Sequence, residues 1–307
     1  MKRSVLLTGA TGFIGRHAIK PLLEAGFEVH ATSRRRPEGG MDGCIFHQAD
    51  LMDERQHEGL IAQVRPTHLL HFAWYAVPGK YWTSSENLGW VRASIGLLQE
   101  FARSGGKRLV IAGTCAEYDW SHEICVEGET PLAPATLYGK CKHALQEIMS
   151  EWSKQVEISS AWGRIFSLYG PHEHPDRFVS SVTSALMRGE EALCGDGSPV
   201  RDYLHVVDVA TAFVAILQSD VTGAVNIASG KGVAIKDIAG KIGAKTGRPD
   251  LLRLGARKAT GVEPPTLLAN PRILAKTGWK PRFDLDSGLD DTIAWWGRQM
   301  SRTAANP

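Results

Sequence analysis

The N-terminal segment restricts the fold of this chain more than any other feature. A short apolar run, Ser4–Leu7, leads directly into Thr8-Gly9-Ala10-Thr11-Gly12-Phe13-Ile14-Gly15, in which the glycines recur every third residue. Gly9 permits a tight turn, Gly12 permits close backbone approach to a pyrophosphate, and Gly15 lets a helix pack closely on a sheet. The alternative is that the glycines only shape a turn. Because they follow a strand and open a helix, they favour a dinucleotide site.

This glycine turn implies a set of cofactor contacts. A helix N-terminus presents free N–H groups and a partial positive charge to phosphates. The residues of the turn that we expect to contact the dinucleotide are Gly9, Thr11, Gly12, Phe13, Ile14 and Gly15.

Short apolar runs alternate with helix-like segments in the first half of the chain. A helix is predicted from Gly12 to Ala25 and another over Asn87–Ser104. The predicted strands after the first are Glu28–Thr32, Ile45–Gln48, His68–Phe72, Arg108–Ala112 and Ser159–Phe166. Strands separated by helices indicate right-handed βαβ units and a parallel sheet covered on both faces. The expected fold class is therefore α/β, a doubly wound parallel (Rossmann) sheet with a second, smaller C-terminal domain.

Prolines punctuate the second half, which predicts a less regular substrate domain there. We expect residues 1–166 to form the dinucleotide-binding domain and residues 167–300 to form the substrate-binding domain. The segment near 204–230, which contains the apolar run Val206–Leu217, is expected to return to the first domain.

Composition argues against several classes of protein. The formal net charge of +2 gives no reason to expect a nucleic-acid or membrane surface. No stretch approaches the roughly 18 apolar residues that a membrane span needs. The five cysteines lack Cys-x-x-Cys spacing, which argues against a disulfide framework or a zinc site. These features predict a cytoplasmic protein with no metal, no membrane contact and no nucleic-acid partner.

The end of the second strand decides between NAD and NADP. An acidic residue there bonds the ribose hydroxyls, whereas an arginine accommodates the 2′-phosphate of NADP. The strand runs into Ser33-Arg34-Arg35-Arg36, so Ser33 stands in the acidic position and Arg34 follows it. A guanidinium suits a phosphate monoester, and the alternative is a solvated basic turn. The sequence favours NADP over NAD, with Ser33 and Arg34 as ligands.

Two other strand ends fit the same site. Asp50 and Leu51 follow the third strand, where they would flank the adenine; alone, Asp50 would be a plain turn residue. Phe72, Ala73 and Trp74 follow the fourth strand, where a small residue leaves room for a cofactor to pass. Ligands of doubly wound sheets bind at these carboxyl ends.

The segment Tyr138-Gly139-Lys140-Cys141-Lys142 supplies the candidate catalytic groups. Tyr and Lys four residues apart lie on one face of a helix. A neighbouring ammonium lowers the pKa of a phenol by roughly 1–3 units, so Lys142 is expected to activate Tyr138 and to hold the nicotinamide ribose. Thr114, just past the fifth strand, is expected to bind the same substrate oxygen; the alternative for Thr114 is a cap on a turn.

These motifs together resemble the extended short-chain dehydrogenase/reductase family, in particular its nucleotide-sugar epimerases, dehydratases and reductases. The segments Arg164–Pro171, Gly195–Ala210, Asn226–Gly230 and Gly278–Pro281 are similar to later motifs of the same family. The resemblance covers nearly the whole chain and implies a nucleotide-sugar substrate and a homodimer. It also implies that Arg201 binds the substrate diphosphate, with Arg177 as a looser candidate.

Departures from the family pattern narrow the reaction. The 4,6-dehydratases carry an Asp-Glu pair directly after the catalytic Thr, where this chain has Cys115 and Ala116. The family's pocket asparagines correspond to Trp90 and Ser167, which implies an atypical sugar pocket that Tyr75 also borders. Aromatic residues that could line this pocket, or simply pack, are Trp74, Tyr75, Tyr81, Trp82, Trp90 and Trp120.

The function expected from these features is NADPH-dependent reduction of a 4-keto, 6-deoxy nucleotide sugar, with Tyr138 as the proton donor. One alternative is an NAD-dependent nucleotide-sugar 4-epimerase that uses the same tyrosine. Another, of a different class, is a non-catalytic NADP-sensing regulator, which the presence of both Tyr138 and Lys142 disfavours.

Overall fold

The structure, a computed structural model, describes residues 3–37, 41–258 and 264–305. Within these ranges the strands, numbered along the chain, are β1 (Ser4–Thr8), β2 (Glu28–Ser33), β3 (Ile45–Gln48), β4 (His68–His71), β5 (Arg108–Thr114), β6 (Ile124–Cys125), β7 (Ser159–Ile165), β8 (Ser167–Tyr169), β9 (Ala192–Leu193), β10 (Val200–His205), β11 (Gly223–Ile227), β12 (Gly232–Ala234), β13 (Leu252–Arg253) and β14 (Thr266–Ala269). The α-helices are α1 (Gly15–Glu24), α2 (Arg55–Val64), α3 (Glu86–Arg103), α4 (Leu137–Gln155), α5 (Phe178–Met187), α6 (Val206–Gln218), α7 (Ile235–Thr246), α8 (Arg272–Ala275) and α9 (Leu285–Ala305). Two short 3₁₀ turns span Cys115–Glu117 and Pro249–Leu251.

The larger sheet contains seven parallel strands in the order β11-β7-β5-β4-β1-β2-β3. Every residue of β5 is buried, as expected for a parallel strand with helices on both faces. One face packs against α1 and α6, and the other packs against α2, α3 and α4. The predicted doubly wound α/β fold is confirmed.

Two element boundaries differ from the sequence prediction in ways that shape the site. Helix α1 begins at Gly15 rather than at Gly12, because residues 9–14 form a turn that the N–H of Gly12 closes on the carbonyl of Gly9 (2.9 Å). Strand β5 continues two residues beyond Ala112 and ends at Thr114. The extra residues carry Thr114 to the edge of the sheet where the glycine turn lies, since β1 and β5 are parallel to β4 between them.

A smaller sheet is formed mostly by the second half of the chain, together with β6 from the first half. Its strands run in the order β12-β10-β14-β6, and β8 also pairs with β10. Helix α6 packs on α1, and β11 joins the larger sheet beside β7. On this basis we propose that the domains divide as the sequence predicts, with the segment near 204–230 assigned to the first domain. None of the described helices combines the length and the apolar character that crossing a membrane requires.

Candidate active site

The glycine turn forms a cradle that only glycine fits. Gly9 has a φ of +66°, and a Cβ there would lie 2.8 Å from the backbone nitrogen of Ala73. A Cβ on Gly15 would overlap the carbonyl oxygen of Gly9. The turn is therefore pressed against both α1 and the end of β4, and it exposes its backbone on the remaining side, where Gly12 lies.

The start of α1 suits an anionic group. Its N-cap, Ile14, makes no capping hydrogen bond, and the first turn contains no acidic residue. The guanidinium of Arg16 donates to the carbonyls of Thr11 and Gly12, which places a cation beside the turn. Thr11 and Phe13 are partly buried beside it, and Ile14 packs against the core. Together with the glycine cradle, these residues fit the diphosphate of a dinucleotide.

The corner after β2 is basic. Ser33 ends the strand, and its hydroxyl donates to the carbonyl of Arg35 (2.6 Å). Arg34, Arg35 and Arg36 are exposed, and the Arg36 guanidinium lies over the ring of Phe46 (5.8 Å). The corner thus presents cationic side chains where an NAD-specific site would present a carboxylate.

The predicted adenine contacts have partners within the protein. The Asp50 carboxylate accepts a hydrogen bond from the N–H of Met52 (3.0 Å). Leu51 is 6% exposed in the core beside α2 and α3, and its carbonyl bonds the ring of His57 (2.8 Å). These bonds are typical of a turn, the alternative that the sequence left open for Asp50.

A buried polar chain fixes the end of β4 beside the glycine turn. The His71 ring is hydrogen-bonded to the hydroxyls of Thr8 (2.8 Å) and Ser94 (3.0 Å). The Thr8 hydroxyl also accepts from the N–H of Ala73 (3.2 Å). Burial, with a smaller contribution from the nearby Lys142, lowers the pKa of His71 to about 3, so the ring is neutral and acts structurally. The Phe72 ring packs on the ring of Phe213 in α6, with centroids 4.8 Å apart.

The structure brings Thr114 and Tyr138 together. The Thr114 side chain lies close enough to the Tyr138 phenol to lower its pKa, and the N–H of Tyr138 donates to the carbonyl of Trp82 (3.1 Å). The Tyr81 ring meets the Tyr138 ring edge-on, with centroids 4.9 Å apart. The loop after β4 therefore folds over the first turn of α4 and packs against Tyr138, which stays partly exposed.

The pKa of Tyr138 is raised rather than lowered. Burial is the main cause, and Tyr81 adds to it, while the Thr114 hydrogen bond acts in the opposite direction. The expectation that Lys142 lowers this pKa is therefore wrong for this structure. A phenol with a raised pKa is protonated at neutral pH and is a weaker acid than a free tyrosine, so it enters the reaction carrying its proton.

The ammonium of Lys142 is bound by a backbone carbonyl and an indole ring. Only 3% of the lysine is exposed; its ammonium donates to the carbonyl of Ala112 (2.8 Å) and lies 3.7 Å from the ring centroid of Trp74. Burial lowers the pKa of Lys142 from 10.5 to about 7, and the carboxylate of Glu117 opposes this shift. Desolvation outweighs the one nearby charge, because the ring and the carbonyl replace water only partly.

A buried carboxylate that sequence reasoning missed lies behind Thr114. Glu117 accepts hydrogen bonds from the backbone of Thr114, from the Trp162 indole and from the Arg164 guanidinium. A sequence signal was available, since Thr114-Cys115-Ala116-Glu117 has the spacing of a capping box, and the structure forms that box.

Three of the predicted aromatic pocket residues, Trp74, Tyr75 and Trp90, lie in the loop after β4 or on α3. The Trp74 indole donates to Asn87 (2.8 Å), and Trp90 lies beside it with centroids 6.2 Å apart. Tyr75 is partly buried in the loop that follows. Asn87, fully buried, also donates to the carbonyls of Tyr81 and Ser84, so it anchors that loop.

The predicted diphosphate ligands differ in their surroundings. The Arg177 guanidinium lies over the Tyr81 ring (5.3 Å) and so reaches the Tyr138 cluster. Arg201 is 4% exposed, and it donates to the backbone carbonyls of Val200 and Pro265. Ser167 is partly buried in β8, where it pairs with β10. Of the two arginines, Arg177 is the one that contacts the phenol's own neighbours.

All five cysteines are free. Across residues 3–37, 41–258 and 264–305, no group of His, Cys, Asp and Glu side chains has the arrangement of a metal site.

Comparisons with known proteins identify the family of the chain. A family model described as "NAD dependent epimerase/dehydratase family" matches residues 5–228. The chain is 28% identical over 317 residues to the dTDP-4-dehydro-6-deoxy-D-allose reductase of a Streptomyces species, with 96% of each chain covered. It is 26% identical over 327 residues to the UDP-glucose 4-epimerase of Lacticaseibacillus casei, covering 95% of this chain and 96% of the relative. The Thermus thermophilus UDP-glucose 4-epimerase in complex with NAD superposes with a TM-score of 0.82 at 25% identity, covering 96% of this chain and 99% of that one.

Proposed function

Because the chain belongs to the NAD dependent epimerase/dehydratase family, we propose that it is an NADPH-dependent reductase of a 4-keto, 6-deoxy nucleotide sugar. The observation that carries the proposal is that Thr114, at the end of β5, and Tyr138, in the first turn of α4, lie together, with a phenol that stays protonated at neutral pH. Reduction of a ketone consumes a proton, and a protonated phenol supplies it. The relative that acts as a dTDP-4-dehydro-6-deoxy-D-allose reductase supports the same assignment.

The roles of the chain's own residues follow from their positions. NADPH held by the glycine turn and α1 would supply the hydride. Tyr138 donates its proton to the developing alkoxide, and Thr114 orients that oxygen through the same hydrogen-bond network. Lys142, with a pKa of about 7, lies close enough to neutrality to take up or release a proton near the reacting groups.

Aromatic side chains next to the phenol support a 6-deoxy sugar. The Trp82 ring lies perpendicular to those of Tyr138 (5.8 Å) and Trp120 (6.0 Å), and Trp120 is fixed by donating to the carbonyl of Cys115. Such a wall packs well against a methyl group or the C–H face of a sugar. Cys115 and Ala116 offer no carboxylate for eliminating water, which supports reduction over dehydration.

The basic corner after β2 supports NADP as the cofactor. We expect Arg34→Ala to weaken NADPH use by about 10- to 100-fold, since a charge-assisted hydrogen bond contributes roughly 1.5–3 kcal/mol. The measurement is KM for NADPH and for NADH. The control is Arg103→Ala, which removes an exposed arginine paired with Glu100 on α3. An unchanged NADPH/NADH preference in the Arg34 variant would show that another group reads the 2′-phosphate.

The second candidate function is a nucleotide-sugar 4-epimerase that retains NAD. It is favoured by the similarity to the UDP-glucose 4-epimerases, one of which is bound to NAD. The two functions differ in net cofactor consumption. NADPH oxidation should be measured against a panel of 4-keto, 6-deoxy sugar nucleotides made by a dehydratase. Release of tightly bound NAD from the purified protein, together with no NADPH oxidation, would establish the epimerase instead.

The substrate diphosphate and the quaternary state belong to the same proposal. Arg177, next to Tyr81, is the better placed diphosphate ligand, and Arg201 is the second. Exposed apolar residues Leu88 (58%) and Ile148 (47%), on the adjacent helices α3 and α4, support a homodimer. The five free cysteines support a reducing compartment, the cytoplasm.

A further inference from the structure

We propose that Glu117 is a positioning residue for the reaction, which holds Thr114 in register with Tyr138 through the 3₁₀ turn Cys115–Glu117. The inference rests on the roles proposed above for Thr114 and Tyr138. It concerns a buried carboxylate that contacts neither the reacting atoms nor the glycine turn.

The carboxylate joins the end of β5 to its neighbour β7. Glu117 is completely buried. One of its oxygens accepts from the N–H of Thr114 (2.9 Å) and from the Trp162 indole (2.8 Å), and the other accepts from Nε of Arg164 (2.7 Å). A Cβ on Gly113 would overlap the Trp162 indole nitrogen, so this contact also requires glycine at position 113.

The same turn sets the distance to α4. The Thr114 hydroxyl accepts from the N–H of Ala116 (3.2 Å), which closes the turn on the side facing Tyr138. A Cβ on Gly139 would overlap the carbonyl oxygen of Ala116, so the first turn of α4 rests directly on this 3₁₀ turn. Because Gly139 follows Tyr138, any shift of the turn changes the separation of the two hydroxyls.

The charge of Glu117 is balanced away from the site. Arg164, 2% exposed, also donates to the Tyr118 hydroxyl (3.2 Å), which in turn donates to Asn226 (2.8 Å). A buried ion pair with satisfied hydrogen bonds gives weak net stabilisation but strict geometry. The carboxylate nevertheless acts on the catalytic groups, because it raises the pKa of both Tyr138 and Lys142.

The test compares Glu117→Gln with the double variant Glu117→Leu/Arg164→Met in the full chain. The double variant removes both charges together, which buried pairs often tolerate without unfolding, and it leaves the N–H of Thr114 without its acceptor. We expect its kcat to fall by about 100-fold, as for a misplacement of roughly 1 Å, with little change in KM. We expect Glu117→Gln, whose amide oxygen still accepts from Thr114, to retain more of kcat.

The control is Asp208→Asn, which perturbs a buried carboxylate that accepts from the N–H groups of Arg282 and Phe283, away from the site. It should lower the melting temperature without lowering kcat. If the Glu117 variants behave as this control does, Glu117 is structural only and the inference is overturned.

Two readouts on the protein without substrate separate this inference from the proposed function. Amide hydrogen exchange at Thr114 should accelerate in the double variant, because the N–H loses its acceptor. The pKa of Lys142, followed by ¹³Cε NMR, should fall further in Glu117→Gln, because the opposing charge is gone. Unchanged exchange and an unchanged lysine pKa would refute the role of Glu117, whatever substrate the protein uses.

Discussion

Lys142→Met removes a charge that the fold holds away from water. The expected change in the free energy of unfolding can be worked out from the pKa of this lysine. Burial lowers the pKa of Lys142 from 10.5 to about 7, a difference of 10.5 − 7, or about 3.5 units. Since one pKa unit corresponds to about 1.36 kcal/mol, the charged lysine destabilises the folded protein by about 5 kcal/mol. A methionine keeps the apolar stem against the Trp74 ring without that charge.

The gain in stability from Lys142→Met is expected to shrink as the pH rises. Between pH 7 and pH 10.5 the unfolded chain binds the proton that the folded chain has released, so wild-type stability rises with pH. Below pH 7 both states are protonated and the full penalty applies. The free energy of unfolding of Lys142→Met is therefore expected to exceed that of the wild type by about 5 kcal/mol at pH 6 and by about 1 kcal/mol at pH 10.

Urea unfolding at pH 6, 8 and 10 measures this difference directly. Lys154→Met is the matched control, because Lys154 lies on the same helix, is 69% exposed and pairs with Glu151. It should change the free energy of unfolding by less than about 0.5 kcal/mol at any pH. A Lys142→Met advantage that is the same at pH 6 and pH 10 would refute the inference that the fold holds this ammonium at a depressed pKa.

Gly15→Ala places a methyl group against the carbonyl of Gly9; we expect about 1–3 kcal/mol of destabilisation and weaker NADP binding by calorimetry. Gly59→Ala on α2, where the added methyl meets nothing within 4 Å, should instead stabilise by about 0.5–1 kcal/mol, and equal behaviour of the two would contradict the packing of the turn. Burial raises the pKa of Glu173 from 4.5 to about 7, so the folded state loses stability as the pH rises through this range. Glu173→Gln, which can still accept from Ser180, should therefore be more stable than the wild type above pH 7, by up to about 3 kcal/mol, and equal to it below pH 4.5; a gain independent of pH in chemical denaturation would contradict this.

Local patterns in the sequence were sufficient to predict six of the seven strands of the larger sheet. These strands are short and mostly apolar, and glycine spacing marks the turn before α1. The seventh strand, β11, was predicted only as part of a segment that returns to the first domain. The smaller sheet was not predicted strand by strand. Its strands β6 and β14 are short, and they pair across more than 140 residues, for example Ile124 with Leu268. No local periodicity in the sequence therefore predicts them.

The candidate site was predictable where geometry follows from spacing, and less so where it depends on distant partners. The Tyr138 and Lys142 spacing correctly placed both groups on α4. Their spacing could not show that the ammonium bonds Ala112 on β5 and faces Trp74, since both contacts come from elsewhere in the chain. The role of Glu117 was missed for a different reason. The spacing of its capping box is present in the sequence, but its burial depends on pairing with Arg164, 47 residues later in the chain.

The direction of the pKa shifts determines which protonation state of the Tyr138 phenol the site holds before the reaction. A phenolate at position 138 would favour abstraction of a proton from an alcohol, the first step of oxidation, and a charged Lys142 close to the phenol would be needed to stabilise it. The structure instead keeps the Tyr138 phenol neutral by burial and binds the Lys142 ammonium to a carbonyl and an indole face. Glu117, negative and behind Thr114, disfavours the phenolate further. A site arranged in this way keeps the proton on the phenol at neutral pH, which is compatible with the reduction of a keto sugar proposed for this protein.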